Sequence, residues 1–233
     1  MHAKEYKRKL TRVYPDIMPY AATDRQEFVK RSNLKTDSRI LDFGGTLPDE
    51  LPFAIIGIMK PRPQKNAIVI RPALFPFKNS VFNEVVSYHY LDLVSPEMLA
   101  YVFPEIARVL KSGSSFSFMI TMWSPQNEQQ RSILLFNEVL KSTGALYSHD
   151  IEKISDQLST SGFGDITIET VKRDIAIPAD FINLHLKMLG SLVRKEKEEG
   201  GTIVMTLARK YFKHSKEHGE AMLPALHFTA RKQ

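Results

Sequence analysis

Ser38-Arg39-Ile40-Leu41-Asp42-Phe43-Gly44-Gly45-Thr46 is a short apolar strand that runs straight into a glycine turn. Such a strand-to-turn step opens a βα unit, and the residues around it show how the unit continues. Residues 67–70 and 81–88 read as further strands, and residues 115–120 as another. Residues 53–60 are apolar too, but the run is too short for periodicity to separate a buried strand from the tail of a helix. Between residues 96 and 110, Leu99, Val102, Phe103, Ile106 and Leu110 recur three and four apart, which predicts an amphipathic helix. Lys111-Ser112-Gly113 is placed to end that helix as a glycine C-cap.

The same reading extends to both termini. Residues 127–143 and 151–161 have helical spacing, whereas residues 166–171 alternate as a strand does. Residues 179–218 read as helices with a turn at Gly200-Gly201, and residues 223–233 return to strand. The first 37 residues read as helical segments broken at Pro15 and Pro19, forming a lid or a flanking helix. Strands separated by helices predict a mainly parallel α/β sheet covered on both faces. One domain over residues 1–233 is expected: a lid to residue 37, a core over 38–178, a helical insertion over 179–222 and a last strand. No internal repeat is visible.

Composition narrows the chemistry. Hydrophobic residues make up 43% and charged residues 25%, with a mean hydropathy of −0.22, as in a chain that buries a large core. There is no cysteine, which excludes disulfides, thiolate nucleophiles and Cys-ligated zinc. No apolar run suits a membrane helix and the first residues lack a signal-peptide stretch, so a cytoplasmic location without membrane attachment is expected. The net charge of +6 and pI near 9.4 permit an anionic partner such as nucleic acid. The cations are scattered, however, with local concentrations only at 4–12, 60–71 and 194–216, so a small-molecule partner is preferred.

Four segments resemble, in order, the landmarks of the class I S-adenosylmethionine-dependent methyltransferases, in particular the type 11 group. Residues 39–45 are similar to the first motif, a strand ending in Asp-x-Gly. Phe75-Pro76-Phe77, followed by Val81-Phe82-Asn83, is similar to the Leu-Pro-Phe that precedes a strand beginning Phe-Asp. Residues 105–113, Glu-Ile-Ala-Arg-Val-Leu-Lys-Ser-Gly, are close to the family's Glu-x-x-Arg-Val-Leu-Lys-Pro-Gly-Gly. Leu158-Ser159-Thr160-Ser161-Gly162-Phe163 is similar to the helix end before strand six. Residues 224–232 are similar to the antiparallel last strand.

The resemblance implies a Rossmann-like fold, S-adenosylmethionine as cofactor, and a ligand outside the carboxyl ends of the strands. It places the cofactor on Asp42, Gly44, Gly45, Thr46, Arg71, Ala73 and Tyr88, and makes His89 the candidate general base, since imidazole titrates near neutrality. Tyr90 and Asp92 are the neighbouring polar side chains, and Glu105 and Arg108 form a surface pair or a cap on the sheet edge. No metal is implied. The pattern also departs from the family. Thr46 and Pro48 stand where further glycines are usual, Met59 falls at the ribose carboxylate, and Arg71 falls at the adenine-side acid. From Asp42 to Phe77 there are only 35 residues, short for two helical crossovers that each take about a dozen residues or more. One crossover helix is therefore expected to be lost or reduced, around residues 46–52 or 61–66.

Two readings follow: a methyltransferase acting on a small-molecule acceptor, or a non-catalytic methyltransferase-like subunit that has lost normal cofactor binding. A basic RNA-associated protein is a third. Phe181, Leu184, Leu186, Met188, Leu189, Leu192 and Val193 in the insertion would line an acceptor site, form a homodimer face, or simply pack internally.

Overall fold

The structure is a computed structural model that describes residues 18–35, 38–47, 49–59, 66–173, 175–198 and 202–233. Pro15, Pro48, most of residues 60–66 and the Gly200-Gly201 turn lie outside the described residues. The elements run α1 (Met18–Arg31), β1 (Ile40–Phe43), β2 (Ile55–Ile58), β3 (Ala67–Val69), β4 (Phe82–Tyr88), α2 (Pro96–Val109) and β5 (Leu110–Thr121). They continue with α3 (Glu128–Ser142), α4 (Ile151–Thr160), β6 (Phe163–Val171), β7 (Ala176–Ile177), α5 (Ala179–Glu198), α6 (Ile203–His218), β8 (Glu220–Ala221) and β9 (Ala225–Lys232).

Seven strands form one sheet in the order β3-β2-β1-β4-β5-β9-β6, and β7 pairs antiparallel with β8. The pairs β2–β3, β1–β2, β1–β4 and β4–β5 are parallel. One strand of the sheet is antiparallel, in keeping with the last strand of the methyltransferase pattern. Strand order reverses between β1 and β4, which makes their carboxyl ends the topological switch point. β1 is buried throughout, as a central strand covered on both faces must be.

The short apolar run before residue 60 resolves as strand β2, since its neighbours on both sides supply parallel partners: Leu41 to Ile55 and Ile56 to Ala67. The connection from β1 to β2 contains no helix among its described residues. A single turn takes its place, in which Leu51 N donates to Leu47 O at 2.9 Å and both side chains are buried. Of the two places expected for a reduced crossover, residues 46–52 carry no helix among the described residues, and most of residues 61–66 lies outside them.

Helix α2 buries Leu99, Val102, Phe103 and Ile106, begins at the Ser95 cap with Pro96 in its first turn, and runs on through Pro104. It ends differently from the sequence expectation. The chain turns extended at Leu110 and enters β5 at once, and Gly113, at φ 75°, lies inside the strand. The β4–β5 register jumps there, from Phe82 opposite Leu110 to Glu84 opposite Ser115, so this glycine serves a bulge and not a helix cap. Pro19 lies within α1, which continues from it without a break to Arg31, so it does not interrupt the described helix. Asn127 and Asp150 cap α3 and α4 through their side-chain oxygens.

The chain groups into two compact units. One holds residues 24–120, 149–170 and 226–233, and its core is aromatic, with Phe118 stacked on Phe228 at 4.6 Å and Phe116 against Phe103 and Phe118. The other holds residues 121–148 and 171–225 together with the described chain up to Thr23. In it Phe136 stacks on His185 at 4.2 Å, and the Tyr211 hydroxyl donates to the Glu220 carboxylate, whose other oxygen lies 2.7 Å from His185 Nδ1. Burial and the neighbouring Glu220 charge push the Tyr211 phenol well above its ordinary value. Met188, Leu189 and Leu192 are buried, while Leu184, Leu186 and Val193 are half-buried; the side chain of Phe181 is outside the described set.

Candidate functional site at the carboxyl ends of β1 and β4

The turn after β1 is built by glycine. Gly44 has φ 113° and Gly45 φ 58°, conformations that a side chain resists. Gly44 N donates to Gly57 O at 2.7 Å, fastening the turn to β2. The Asp42 carboxylate is almost fully buried, and its Oδ2 accepts from Leu47 N at 3.0 Å, capping the turn that replaces the missing helix. Thr46, which stands in a glycine position, donates its hydroxyl to Tyr88 O at 2.9 Å and so ties the β1 turn to the end of β4.

Tyr90 decides the shape of the site. Its ring lies against Gly44 so closely that a Cβ added to that glycine would overlap it. The ring also meets Phe43 edge-on at 5.2 Å, and its hydroxyl accepts from Met59 N at 3.2 Å. Tyr90 therefore spans from the glycine turn to the end of β2, the place that the methyltransferase pattern gives to the cofactor ribose. Phe75, buried and stacked on Phe43 at 5.7 Å, packs behind. The Gly44-Gly45 turn presents backbone at the end of β1, and the Tyr90 ring covers it.

On the other side of the switch point, His89 has φ 52°, a left-handed conformation uncommon outside glycine. Its amide donates to Met119 O at 2.9 Å, and its Nδ1 lies 2.8 Å from Asp92 Oδ2, with Asp92 buried in the 3-10 turn of residues 91–93. A carboxylate at Nδ1 fixes the proton there and makes Nε2 the basic nitrogen, the tautomer a general base needs. A strained backbone carrying an oriented histidine is the kind of outlier that points to function. Tyr88 donates its hydroxyl to Asp24 on α1 and packs edge-on to His89 at 4.8 Å. Arg25, one residue further along α1, donates to Glu50 at 2.6 Å, with both side chains at or below 10% exposure.

The structure therefore gathers Asp42, Gly44, Gly45, Thr46, Tyr88 and His89 about the β1 and β4 ends. Arg71 and Ala73 are elsewhere, on an exposed turn after β3, which is an edge strand separated from β1 by β2, about 10 Å away. Asp24, Arg25 and Glu50 were not read from the sequence, because their pairing depends on how α1 packs and leaves no local pattern. Glu105 and Arg108 are a clamp. Arg108 binds Glu105 at 2.8 Å and the carbonyls of Phe75 and Phe77 at 2.9 and 2.8 Å, and Glu105 accepts from Phe75 N at 2.6 Å. The Arg108 guanidinium holds the Glu105 carboxyl below its ordinary value.

Among solved structures, the chain is similar to an S-adenosylmethionine-dependent methyltransferase from Archaeoglobus fulgidus, with TM-score 0.56 and 13% identity over 91% of this chain and 94% of that one. It is also similar to one from Thermotoga maritima, with TM-score 0.56 and 15% identity over 98% and 95%. The fold is that of the class I methyltransferases. A third structure with this methyltransferase fold, the geranyl diphosphate C-methyltransferase of Streptomyces coelicolor, matches with TM-score 0.56 and 11% identity over 98% of this chain and 84% of that one. No family model and no curated protein matches the sequence. No described helix is long and apolar enough to cross a membrane.

Proposed function

We propose that the protein is an S-adenosylmethionine-dependent methyltransferase acting on a small-molecule acceptor, and that the cofactor enters where the Tyr90 ring now stands. The observation that carries this reading is the pairing, across the switch point, of the Gly44-Gly45 turn with the His89–Asp92 dyad. The turn offers backbone to the cofactor; Asp42, Thr46 and Tyr88 hold that backbone in place. His89 takes a proton from the acceptor through Nε2 while Asp92 steadies the ring. When bound, the cofactor would supply a methyl group on a sulfonium, transferred by in-line displacement, so positioning is the chain's main task. Solved structures of the same fold include a geranyl diphosphate C-methyltransferase, which agrees with a small-molecule acceptor.

A second reading is favoured by the bonds already made in the site. Tyr90 to Met59 N and Asp42 to Leu47 N satisfy the groups a nucleoside would otherwise meet, as in a non-catalytic methyltransferase-like module. Calorimetry with S-adenosylhomocysteine on the wild type and on Tyr90→Ala separates the two. Binding that tightens when the ring is removed supports the methyltransferase. Absence of binding in both proteins, with both shown to be folded, supports the module.

A further inference from the structure

Helix α6 ends in His214-Ser215-Lys216-Glu217-His218, two histidines one turn apart on one face. Their rings are 4.6 Å apart, and Glu128, in the first turn of α3, faces them. The ligand atoms of Glu128, His214 and His218 all lie within 4.8 Å of one another. His214 Nε2 is 2.9 Å from Glu128 Oε2, close to the roughly 3 Å edge of a coordination shell whose metal–nitrogen and metal–oxygen bonds are about 2.0–2.2 Å.

The decisive contact is on the far side of the ring. Ser132, fully buried, has its hydroxyl 2.9 Å from His214 Nδ1 and donates to the Glu128 carbonyl at 3.4 Å. With Nδ1 engaged by the Ser132 hydroxyl, it is the Nε2 edge of the ring that faces the Glu128 carboxylate and the rest of the cluster. Ser132 is also the outer-shell partner that metal-bound histidines use to fix ring orientation.

We infer that Glu128, His214 and His218 form a binding site for a divalent transition metal of the zinc class, joining the start of α3 to the end of α6. Two imidazoles and one carboxylate are borderline ligands that suit zinc, cobalt or nickel better than magnesium or calcium. Three protein ligands leave a coordination position open to solvent. Glu128 is 56% exposed, so its arm can close the remaining distance. Arg131, 4.0 Å from the other carboxylate oxygen and itself 60% exposed, is the competing partner and can swing away. Glu128, His214 and His218 belong to a different compact unit from the proposed methyl-transfer residues, and the site does not depend on that reading.

The test uses untagged, metal-stripped protein titrated with cobalt chloride and, separately, with zinc chloride. One equivalent of cobalt with visible d–d absorption is expected, displaced by one equivalent of zinc, together with a rise in Tm on zinc addition. His218→Ala and Glu128→Gln alter exposed or half-exposed side chains and should leave the fold intact, and each is expected to weaken metal binding at least tenfold. Absence of cobalt absorption in the wild type, or the same affinity in wild type and His218→Ala, overturns the site and leaves a plain His214–Glu128 contact in its place.

Discussion

The Phe75–Phe77 segment and the Gly44–Thr46 turn both carry family landmarks, and both pack on the same short strands. The first is held by Arg108 and Glu105, with bonds running from helix α2 to the loop's carbonyls and amide, where the sequence suggested only a surface pair or a cap on the sheet edge. The second sets Gly44 against the Tyr90 ring, and its Thr46, at a position where the resembled pattern has glycine, bonds to β4. Motifs that secure backbone to backbone persist when a site is altered, because the fold needs them whatever binds. Motifs that exist to leave room for a ligand change as soon as a side chain fills that room.

Substitutions can break either half of this contrast. The largest effect is expected for Gly44→Ala, where the new Cβ would overlap the buried Tyr90 ring and adopt φ 113°. A loss of about 3–4 kcal/mol in urea unfolding is expected, combining overpacking and backbone strain. Arg108→Ala removes the clamp and should cost about 2–3 kcal/mol, the partial exposure of the guanidinium keeping the loss below that of a fully buried pair. This loss should leave any cofactor affinity of the folded protein nearly unchanged, and a large fall in affinity would show the clamp and the turn to be coupled. Tyr90→Phe deletes only the bond to Met59 N and should cost about 1 kcal/mol while loosening the ring over Gly44.

The smallest expected effect is on pH dependence. Burial pushes His227, which meets Phe28 edge-on at 5.5 Å, below its ordinary value. Its folded value is the lower one, so its contribution is present above the unfolded value of about 6.5 and is lost as pH falls through the folded value. His227→Phe should therefore flatten the decline of Tm between pH 7 and pH 5. An unchanged slope would place the acid sensitivity in other groups.

Much of the sheet was legible because its strands are short apolar runs bounded by turns, and α2, α3 and α4 because their apolar spacing and caps agree. Length alone showed that the span from Asp42 to Phe77 is short for two helical crossovers, without choosing between the two connections. What escaped were features that only partners define: the two-residue strands β7 and β8, the bulge at Gly113, and the Arg25–Glu50 pair. In the site, Asp42, Gly44, Gly45 and His89 could be singled out, since a glycine turn and a histidine after a strand are local signals. Tyr90 was named only as a neighbour of His89. Its role depends on which way one ring turns after β4, and no spacing rule reports that.

On the proposed function, the glycine turn accepts S-adenosyl compounds and Tyr90 covers it. Isothermal titration of S-adenosylhomocysteine into wild type and Tyr90→Ala, each first shown to be folded, decides whether it does. Binding to Tyr90→Ala at least tenfold tighter than to wild type is expected. Equal affinity in the two proteins, or no binding to either, would overturn the proposal.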